Sequence, residues 1–443
     1  MIFQRHSLKK LLQWKGKSGR KPLIIRGARQ VGKSTLVKEF SKEFKQFISL
    51  NLELPKHQRY FHLDSIDEIV AAIFLEHKSV LIEDTLLFID EIQESPKAIQ
   101  MLRYFYEKYP SIHVIAAGSL LEFVMKEITS FPVGRVEQMV LHPFGFEEFL
   151  EATDQAQLIE ELNKIPLTKY AHTTLLTSFH QYAMIGGMPE VIQQFVKDQS
   201  ALNLAGIYEG LWQGYVDDVE KYGTSASIRQ VIRHVIQTAP SEKDRISFAG
   251  FGASNYKSRE VGEALRALDK ARLIRLIYPI INDQLPVQVD YKRKPRLQFL
   301  DTGLLNFTLG LQPQMIGIKD LNAFHRGKII QHLVSQELQS MNDQPSFKPN
   351  FWVRENPNSN SEVDLIYVFN GHVIPVEIKS GLSGKLRSLH EFIDRTDRKI
   401  AVRLSANYFS IEYVKTPSGT PYKLINIPYY LMCRLPQYLN QVM

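Results

Sequence analysis

The residues best suited to chemistry lie in a glycine-rich segment near the start of the chain. An apolar run at residues 22–25 leads into Gly27-Ala28-Arg29-Gln30-Val31-Gly32-Lys33-Ser34-Thr35, which has the spacing G-x-x-x-x-G-K-S. In loops of this spacing, glycines let backbone N–H groups surround a triphosphate, the lysine adds positive charge, and the serine hydroxyl binds Mg²⁺. We therefore predict that these nine residues bind ATP, with Lys33 also catalytic and Ser34 also a metal ligand.

An acidic pair, Asp90 and Glu91, directly follows another apolar run at residues 86–89. We predict that Asp90 binds the Mg²⁺ of the nucleotide and that Glu91 is the catalytic base that polarises the attacking water. Taken alone, an acidic pair after a strand also fits a solvated turn. Its combination with the glycine-rich loop favours an enzyme that hydrolyses ATP.

Three more polar residues are candidates for contact with the nucleotide. Ser119 follows the apolar run at residues 112–117 and either reads the γ-phosphate or lies in an ordinary turn. Arg135 is a candidate arginine finger, and Arg103 is its rival; each is equally compatible with a solvated surface arginine. An arginine finger that acts in trans would require a homo-oligomer.

Hydrophobic periodicity divides the chain into four predicted segments. Residues 1–155 alternate strand-like and helix-like runs, which predicts a P-loop ATPase core with a parallel sheet covered on both faces. Residues 156–224 have helical spacing and predict a helical lid. Residues 225–310 predict a winged helix, and residues 311–443 predict a C-terminal α/β domain.

A basic helix predicted within residues 258–279, ahead of a β-like run, is the candidate for contact with DNA. This helix carries Arg259, Arg266, Lys270 and Arg272. A winged helix can hold such a helix against DNA, but it can equally serve as a protein-packing module. The formal net charge of +7 fits an anionic partner only weakly, because it is spread over 443 residues.

A second set of candidate catalytic residues lies in the C-terminal segment. Glu377 and Lys379 alternate on one face of a predicted strand, and Asp364 lies on the strand before it. If Asp364 faces Glu377 across the hairpin, the two carboxylates can bind Mg²⁺ while Lys379 orients the attacking water. A simple salt bridge between Glu377 and Lys379 is the alternative.

Other features of the sequence bear on the compartment and on membranes. A single cysteine, Cys433, excludes an internal disulfide framework and is best explained as a small buried side chain. The first residues lack the apolar core of a signal peptide, and no run of 18 apolar residues occurs. We therefore predict a cytoplasmic protein without a membrane partner.

These motifs resemble those of AAA-type ATPases of bacteria and archaea whose core is followed by the domain of unknown function DUF4143. The resemblance covers nearly the whole chain. The segments that carry it are the loop at residues 27–34, Phe88-Ile89-Asp90-Glu91-Ile92-Gln93, Gly118-Ser119, Gly134-Arg135 with Pro143-Phe144, Gly186-Gly187-Met188-Pro189-Glu190, and Asp301-Thr302-Gly303-Leu304-Leu305. The segments around Trp352, Asp364 and Glu377 are similar to the PD-(D/E)xK fold of restriction enzymes and Holliday-junction resolvases.

The resemblance implies an ATPase that acts on or senses DNA and carries a nuclease-like domain with Asp364, Glu377 and Lys379 as its site. One position departs from the pattern. The family usually has Gly-x-x-x-Glu in the first helix of this domain, whereas this chain has Gly327 followed by Gln331. Glu337 lies on another face of that helix and is a poor replacement. The alternative is a slow regulatory ATPase that gates a protein partner, with the C-terminal domain as a non-catalytic platform.

Overall fold

The chain folds into two compact units. The computed structural model describes residues 3–124, 131–221, 223, 225–242, 244–312, 328–356, 359–381, 386–396 and 398–443. The first unit comprises residues 1–143, 270–272 and 342–346, and the second comprises residues 144–269, 273–341 and 347–443. Gly327, which the sequence places in a family motif, lies outside the described residues.

The first unit is a five-stranded parallel sheet with helices. Its strands are β1 (Leu23–Arg26), β2 (Gln46–Asn51), β3 (Thr85–Asp90), β4 (His113–Gly118) and β5 (Glu137–Val140). Its helices are α1 (Ser7–Lys15), α2 (Lys33–Phe40), α3 (Pro55–Gln58), α4 (Ile66–Glu76), α5 (Pro96–Lys108) and α6 (Leu121–Val124). The strand order is β2-β3-β4-β1-β5, so β4 lies between β1 and β3.

The central strands of this sheet are apolar because both of their faces are covered. β1 and β4 are buried along their whole lengths, and β3 is buried up to Asp90. A parallel sheet of this kind has continuous apolar strands, and each strand needs a long crossover to the next. The polar residues that follow β1, β3 and β4 therefore meet at one edge of the sheet.

The second unit begins with a group of helices. They are α7 (Phe146–Ala152), α8 (Ala156–Leu162), α9 (Lys169–Ile185), α10 (Pro189–Asp198), α11 (Ala205–Glu220), α12 (Ala226–Thr238), α13 (Ser258–Lys270) and α14 (Thr302–Thr308). Between α13 and α14, β6 (Ile274–Ile277) pairs antiparallel with β8 (Arg296–Phe299). α12 and α13 precede this antiparallel pair, and the winged helix predicted for this segment remains a prediction.

A seven-stranded mixed sheet occupies the rest of the second unit. Its strands are β7 (Pro279–Ile280), β9 (Asn350–Asn356), β10 (Ser359–Phe369), β11 (His372–Ile378), β12 (Ile400–Ser405), β13 (Ser410–Lys415) and β14 (Pro421–Pro428), in the order β13-β14-β12-β11-β10-β9-β7. The accompanying helices are α15 (Lys328–Ser340), α16 (Arg387–Arg395) and α17 (Leu435–Val442). The predicted hairpin of β10 and β11 is confirmed, with Asn370 and Gly371 at positive φ in its turn.

The division into four segments stays a prediction. The structure divides the chain into two units, with boundaries at other positions. The unit boundary falls between Pro143 and Phe144. β7, from the predicted winged-helix segment, pairs in parallel with β9 of the C-terminal segment. Within the part of the chain that the structure describes, none of the helices has the length and apolar character needed to cross a membrane.

Buried carboxyl groups organise the helices of the second unit. Asp301 caps α14 by accepting a hydrogen bond from Leu304 N (2.9 Å), and it also accepts one from Gly187 N (2.5 Å). Glu337 Oε1 accepts hydrogen bonds from Phe146 N (2.9 Å) and from the hydroxyl of Tyr182 (2.9 Å). The bonds from Gly187, Phe146 and Tyr182 join residues that are far apart in the sequence.

Burial raises the pKa of Glu337 from its usual 4.5 to about 8, and that of Asp301 to about 6. A carboxyl group whose pKa is raised by folding binds its proton more tightly in the folded state than in the unfolded state. Its protonation therefore stabilises the folded state, and this stabilisation is greatest at pH values where the group is protonated in both states. This contribution is complete below the unfolded pKa, and it is lost as the pH rises through the folded pKa. For Glu337, the loss should occur between about pH 4.5 and pH 8.

We predict that Glu337→Gln makes the melting temperature less dependent on pH over this range, because an amide cannot ionise. Thermal denaturation from pH 5 to pH 8.5 measures the effect. The matched control is Glu209→Gln, an exposed position on α11, which should leave the pH profile as in the wild type. An unchanged slope in Glu337→Gln would contradict the assignment of Glu337 as a titrating buried group.

Candidate functional site

The glycine-rich loop joins β1 to α2, and its conformation depends on glycine at two positions. Gly32 caps α2 with a φ of 94°. At Gly27, an added Cβ would lie 2.4 Å from the backbone oxygen of Leu141. Gln30 also has a positive φ, of 61°. A substitution at Gly27 would therefore displace the loop, and one at Gly32 would strain it.

Lys33 points into this loop and is almost fully buried. Its ammonium donates hydrogen bonds to the backbone oxygens of Gly27 (3.1 Å) and Ala28 (2.9 Å). Burial lowers the pKa of Lys33 to about 8, while the negative charges of Glu91 and Asp90 oppose this shift. Phosphate oxygens placed in the loop would stabilise the charged ammonium in the same way.

Ser34 and Asp90 meet at the edge of the sheet where α2 begins and β3 ends. The Ser34 hydroxyl donates to Asp90 Oδ2 at 2.6 Å, and Asp90 Oδ1 accepts a hydrogen bond from Glu91 N at 3.1 Å. Burial raises the pKa of Asp90, and the hydrogen bond from Ser34 opposes that shift. A hydroxyl and a carboxylate at this spacing are hard oxygen ligands, so the pair fits Mg²⁺.

The strand order also brings Ser119 to this edge. β4 lies beside β1 with Gly118 paired to Arg26, so Ser119 follows at the level where the loop begins. Ser119 is buried. Its location agrees with the prediction for a residue that contacts the γ-phosphate, and the contact itself remains a prediction.

Arg103 and Arg135 lie together on the surface of the first unit. Each guanidinium has its Nε 3.0 Å from Glu107 Oε1. Both side chains are about half exposed, at 51% and 46%. An arginine finger from one subunit that acts on the ATP of a neighbouring subunit requires an oligomer. This role remains a prediction for both arginines.

Three charged residues beside the loop were not identified from the sequence as parts of this site. Glu122 Oε1 lies 2.7 Å from Arg272 and 3.5 Å from Arg26, which ends β1. Arg272 is buried. Burial is the main cause that lowers the pKa of Lys33, and the positive charge of Arg272 lowers it further. Arg272 belongs to the first unit although it lies far along the chain, so no local motif could reveal it.

This position corrects the expectation that Arg272 belongs to a basic surface for DNA. The residue follows the end of α13, and its side chain is only 6% exposed because it pairs with Glu122. Lys270 is half-buried, with its ammonium 5.6 Å from the ring centre of Phe123. Arg259 and Arg266 remain exposed on α13.

In the second unit, Asp364 is surrounded by donors from the protein itself. Its Oδ1 accepts a hydrogen bond from the Gln331 amide at 3.0 Å, and its Oδ2 accepts one from Ile378 N at 2.9 Å. Arg296, on β8, donates to the backbone oxygen of Asp364 at 2.9 Å and lies 3.7 Å from its Oδ1. Arg296 also forms an ion pair with Glu362.

Glu377 lies near Asp364, as the hairpin register predicts. Its Oε1 accepts a hydrogen bond from Lys379 at 2.6 Å, which confirms the salt bridge expected as the alternative reading. Burial and the negative charge of Asp364 raise the pKa of Glu377. Glu377 Oε2 is buried, and no hydrogen-bond partner for it occurs within the described residues.

These contacts make the second site a poor fit for a divalent metal. Both oxygens of Asp364 already accept hydrogen bonds, and the positive charges of Arg296 and Lys379 stand beside the carboxylates. No group of three His, Cys, Asp or Glu residues suited to a metal occurs in the described ranges. Glu337 does not replace the missing glutamate, because it bonds to Phe146 and Tyr182 instead.

Comparisons with known families match most of the chain in three parts. Residues 19–150 match an AAA domain, residues 176–315 match a domain of unknown function named DUF8612, and residues 326–430 match the domain of unknown function DUF4143. The AAA and DUF4143 parts of the resemblance are thereby confirmed. Among curated proteins, none matches this chain significantly.

Solved structures with a detectable similarity include two from archaea. A Walker-type ATPase of Pyrococcus abyssi is 13% identical with a TM-score of 0.45, and the similarity covers 70% of this chain and 96% of that one. The ORC1 protein of Aeropyrum pernix, solved in complex with DNA, is 12% identical with a TM-score of 0.33, covering 71% of this chain and 94% of that one.

We predict that Lys33→Ala weakens ATP binding by about 10- to 100-fold, which corresponds to the loss of a hydrogen bond to a charged group. Isothermal titration calorimetry with ATP measures the effect. Lys38→Ala, at an exposed position of the same helix, is the matched control and should bind as the wild type does. Wild-type affinity in Lys33→Ala would contradict the assignment of the loop.

Proposed function

We propose that this protein binds Mg·ATP and hydrolyses it to ADP and phosphate. The chain carries an AAA domain and a DUF4143 domain. The hydrogen bond of 2.6 Å between Ser34 and Asp90 is the observation that supports this most strongly. It brings the serine of the loop and the first carboxylate after β3 together, beside the buried ammonium of Lys33.

Each residue has a distinct part in the proposed reaction. Backbone N–H groups of the loop and the Lys33 ammonium bind the β- and γ-phosphates and stabilise the charge that develops on them. Ser34 and Asp90 would hold Mg²⁺, which supplies further neutralisation of the phosphate oxygens. Glu91 accepts a proton from the water that attacks the γ-phosphate, while the bond from the γ-phosphorus to the bridging oxygen breaks and ADP leaves.

We predict that Glu91→Gln binds ATP with wild-type affinity but turns it over about 100- to 10,000-fold more slowly, because an amide cannot accept the proton. Steady-state phosphate release and calorimetry on the same samples separate the two effects. Glu94→Gln, exposed in the turn that follows, is the matched control. Normal turnover in Glu91→Gln would rule out Glu91 as the catalytic base.

We further propose that this ATPase acts on or senses DNA. The exposed arginines Arg259 and Arg266 on α13, together with the net charge of +7, support an anionic partner. The contrasting candidate is a slow ATPase that gates a protein partner. DNA should stimulate turnover in the first case and leave it unchanged in the second.

The hydrogen bonds around Asp364 favour a C-terminal domain that does not cut DNA. Gln331 donates to the carboxylate oxygen that a metal would need, and Arg296 supplies a permanent positive charge there. Only 14% of the Arg296 side chain is exposed, and burial lowers the pKa of Arg296 to about 10, so it stays charged near neutral pH. In this proposal, the domain contributes a binding surface.

We predict that DNA raises the rate of ATP turnover but is not cut when Mg²⁺ or Mn²⁺ is present. Both readouts come from the same reactions, with linear and supercoiled DNA and with or without ATP. The wild type and Asp364→Ala should give identical DNA products, and Arg259→Glu with Arg266→Glu should reduce the stimulation. Metal-dependent cutting that disappears in Asp364→Ala would contradict the non-cutting proposal, and turnover indifferent to DNA would favour the protein-gating candidate.

A further inference from the structure

Gln93 makes a hydrogen bond to Glu91 from within the turn that follows β3. The Gln93 amide nitrogen donates to Glu91 Oε2 at 2.7 Å. Gln93 is only 7% exposed, so water does not compete freely for this bond. A buried amide thus contacts the carboxylate that the proposed reaction uses as its base.

The backbone of Glu91 turns sharply at the end of β3. Glu91 has a left-handed conformation, with φ 50° and ψ 46°, and its N–H donates to Asp90 Oδ1. This conformation turns the chain sharply at the end of β3, and Glu91 itself is only partly buried. The hydrogen bond from Gln93 restricts the Glu91 carboxylate to fewer orientations than its rotamers allow.

Gly118 leaves the space in which the Gln93 amide lies. A Cβ added at Gly118 would be 2.5 Å from Gln93 Oε1 and 3.0 Å from the side chain of Leu121. Gln93 Oε1 is buried and has no hydrogen-bond partner among the described residues. The amide is therefore held by close packing on one side and by Glu91 on the other.

We infer that Gln93 is a positioning residue for ATP hydrolysis, and that Gly118 is glycine because the Gln93 amide needs its space. The inference rests on the proposed function and extends it to the orientation of the base. An amide donor occupies one oxygen of Glu91 and leaves the other to accept the proton from water.

This assignment explains two segments that the sequence resemblance singles out. Gln93 ends the segment that begins at Phe88, and Gly118 precedes Ser119. Because β3 and β4 are neighbours in the sheet, the two segments are adjacent in space. Gly118, at the end of β4, therefore affects Glu91 by leaving space for the Gln93 side chain.

Gln93→Met tests the inference, because methionine keeps the apolar volume and removes the donor. We expect kcat to fall by about 10- to 100-fold, as expected for a misplaced catalytic group. The dissociation constant for ATP and the melting temperature should stay at wild-type values. Gln138→Met, half-buried on β5, is the matched control and should leave kcat unchanged.

Gly118→Ala is a second and independent variant. Its Cβ would displace the Gln93 amide, so kcat should fall without a change in ATP affinity. In the double variant the two losses should not add, because both act through the same hydrogen bond. Additive losses would show that Gly118 acts by another route and would overturn that part of the inference.

The outcomes separate this inference from the proposed function. Normal kcat in Gln93→Met, with Glu91→Gln inactive, overturns the positioning role and leaves the ATPase intact. Normal turnover in Glu91→Gln overturns the assignment of the base, and the positioning role falls with it. If Gln93→Met does not fold, Gly118→Ala decides alone: a normal kcat there overturns the inference, and a reduced kcat with normal ATP affinity supports it.

Discussion

The buried positive charge of Lys33 is the constraint on which the rest of the first unit depends. An ammonium with little exposure must be compensated, and two backbone oxygens of the loop and the carboxylates after β3 do so. That compensation requires β1 and β3 to end at the same edge of a parallel sheet. β4 lies between them, and Gly118 at its end is in close contact with the Gln93 amide, which bonds to one of those carboxylates.

The two sites with acidic residues differ in what compensates their carboxylates. In the first unit, Asp90 and Glu91 accept hydrogen bonds from a serine and a glutamine, which are neutral and leave the carboxylates able to bind a cation or accept a proton. In the second unit, the positively charged side chains of Arg296 and Lys379 form ion pairs with Glu362 and Glu377. In the proposed function, the same residue type thus supports chemistry in the first unit and structure in the second.

Local patterns were enough to predict the elements that carry each site. The loop residues from Gly27 to Thr35, the acidic pair after β3 and the hairpin at Asn370-Gly371 each follow from residues close together in the sequence, because the turn or strand end that they form is local. The division into four segments remains a prediction. The expectation that Arg272 faces DNA was wrong because its ion pair with Glu122 joins residues far apart in the chain.

The sequence by itself determined the glycine-rich loop, the strand that ends in carboxylates and the presence of an AAA domain, since glycine conformations and apolar strand patterns are encoded over a few residues. Only the tertiary structure decided which partners the ionisable groups have. Arg272 beside Glu122, and Gln331 and Arg296 beside Asp364, depend on packing between separate segments. Charge and hydrogen bonding act through space over a few ångströms, so the chemistry of each carboxylate is set by neighbours that sequence distance does not reveal.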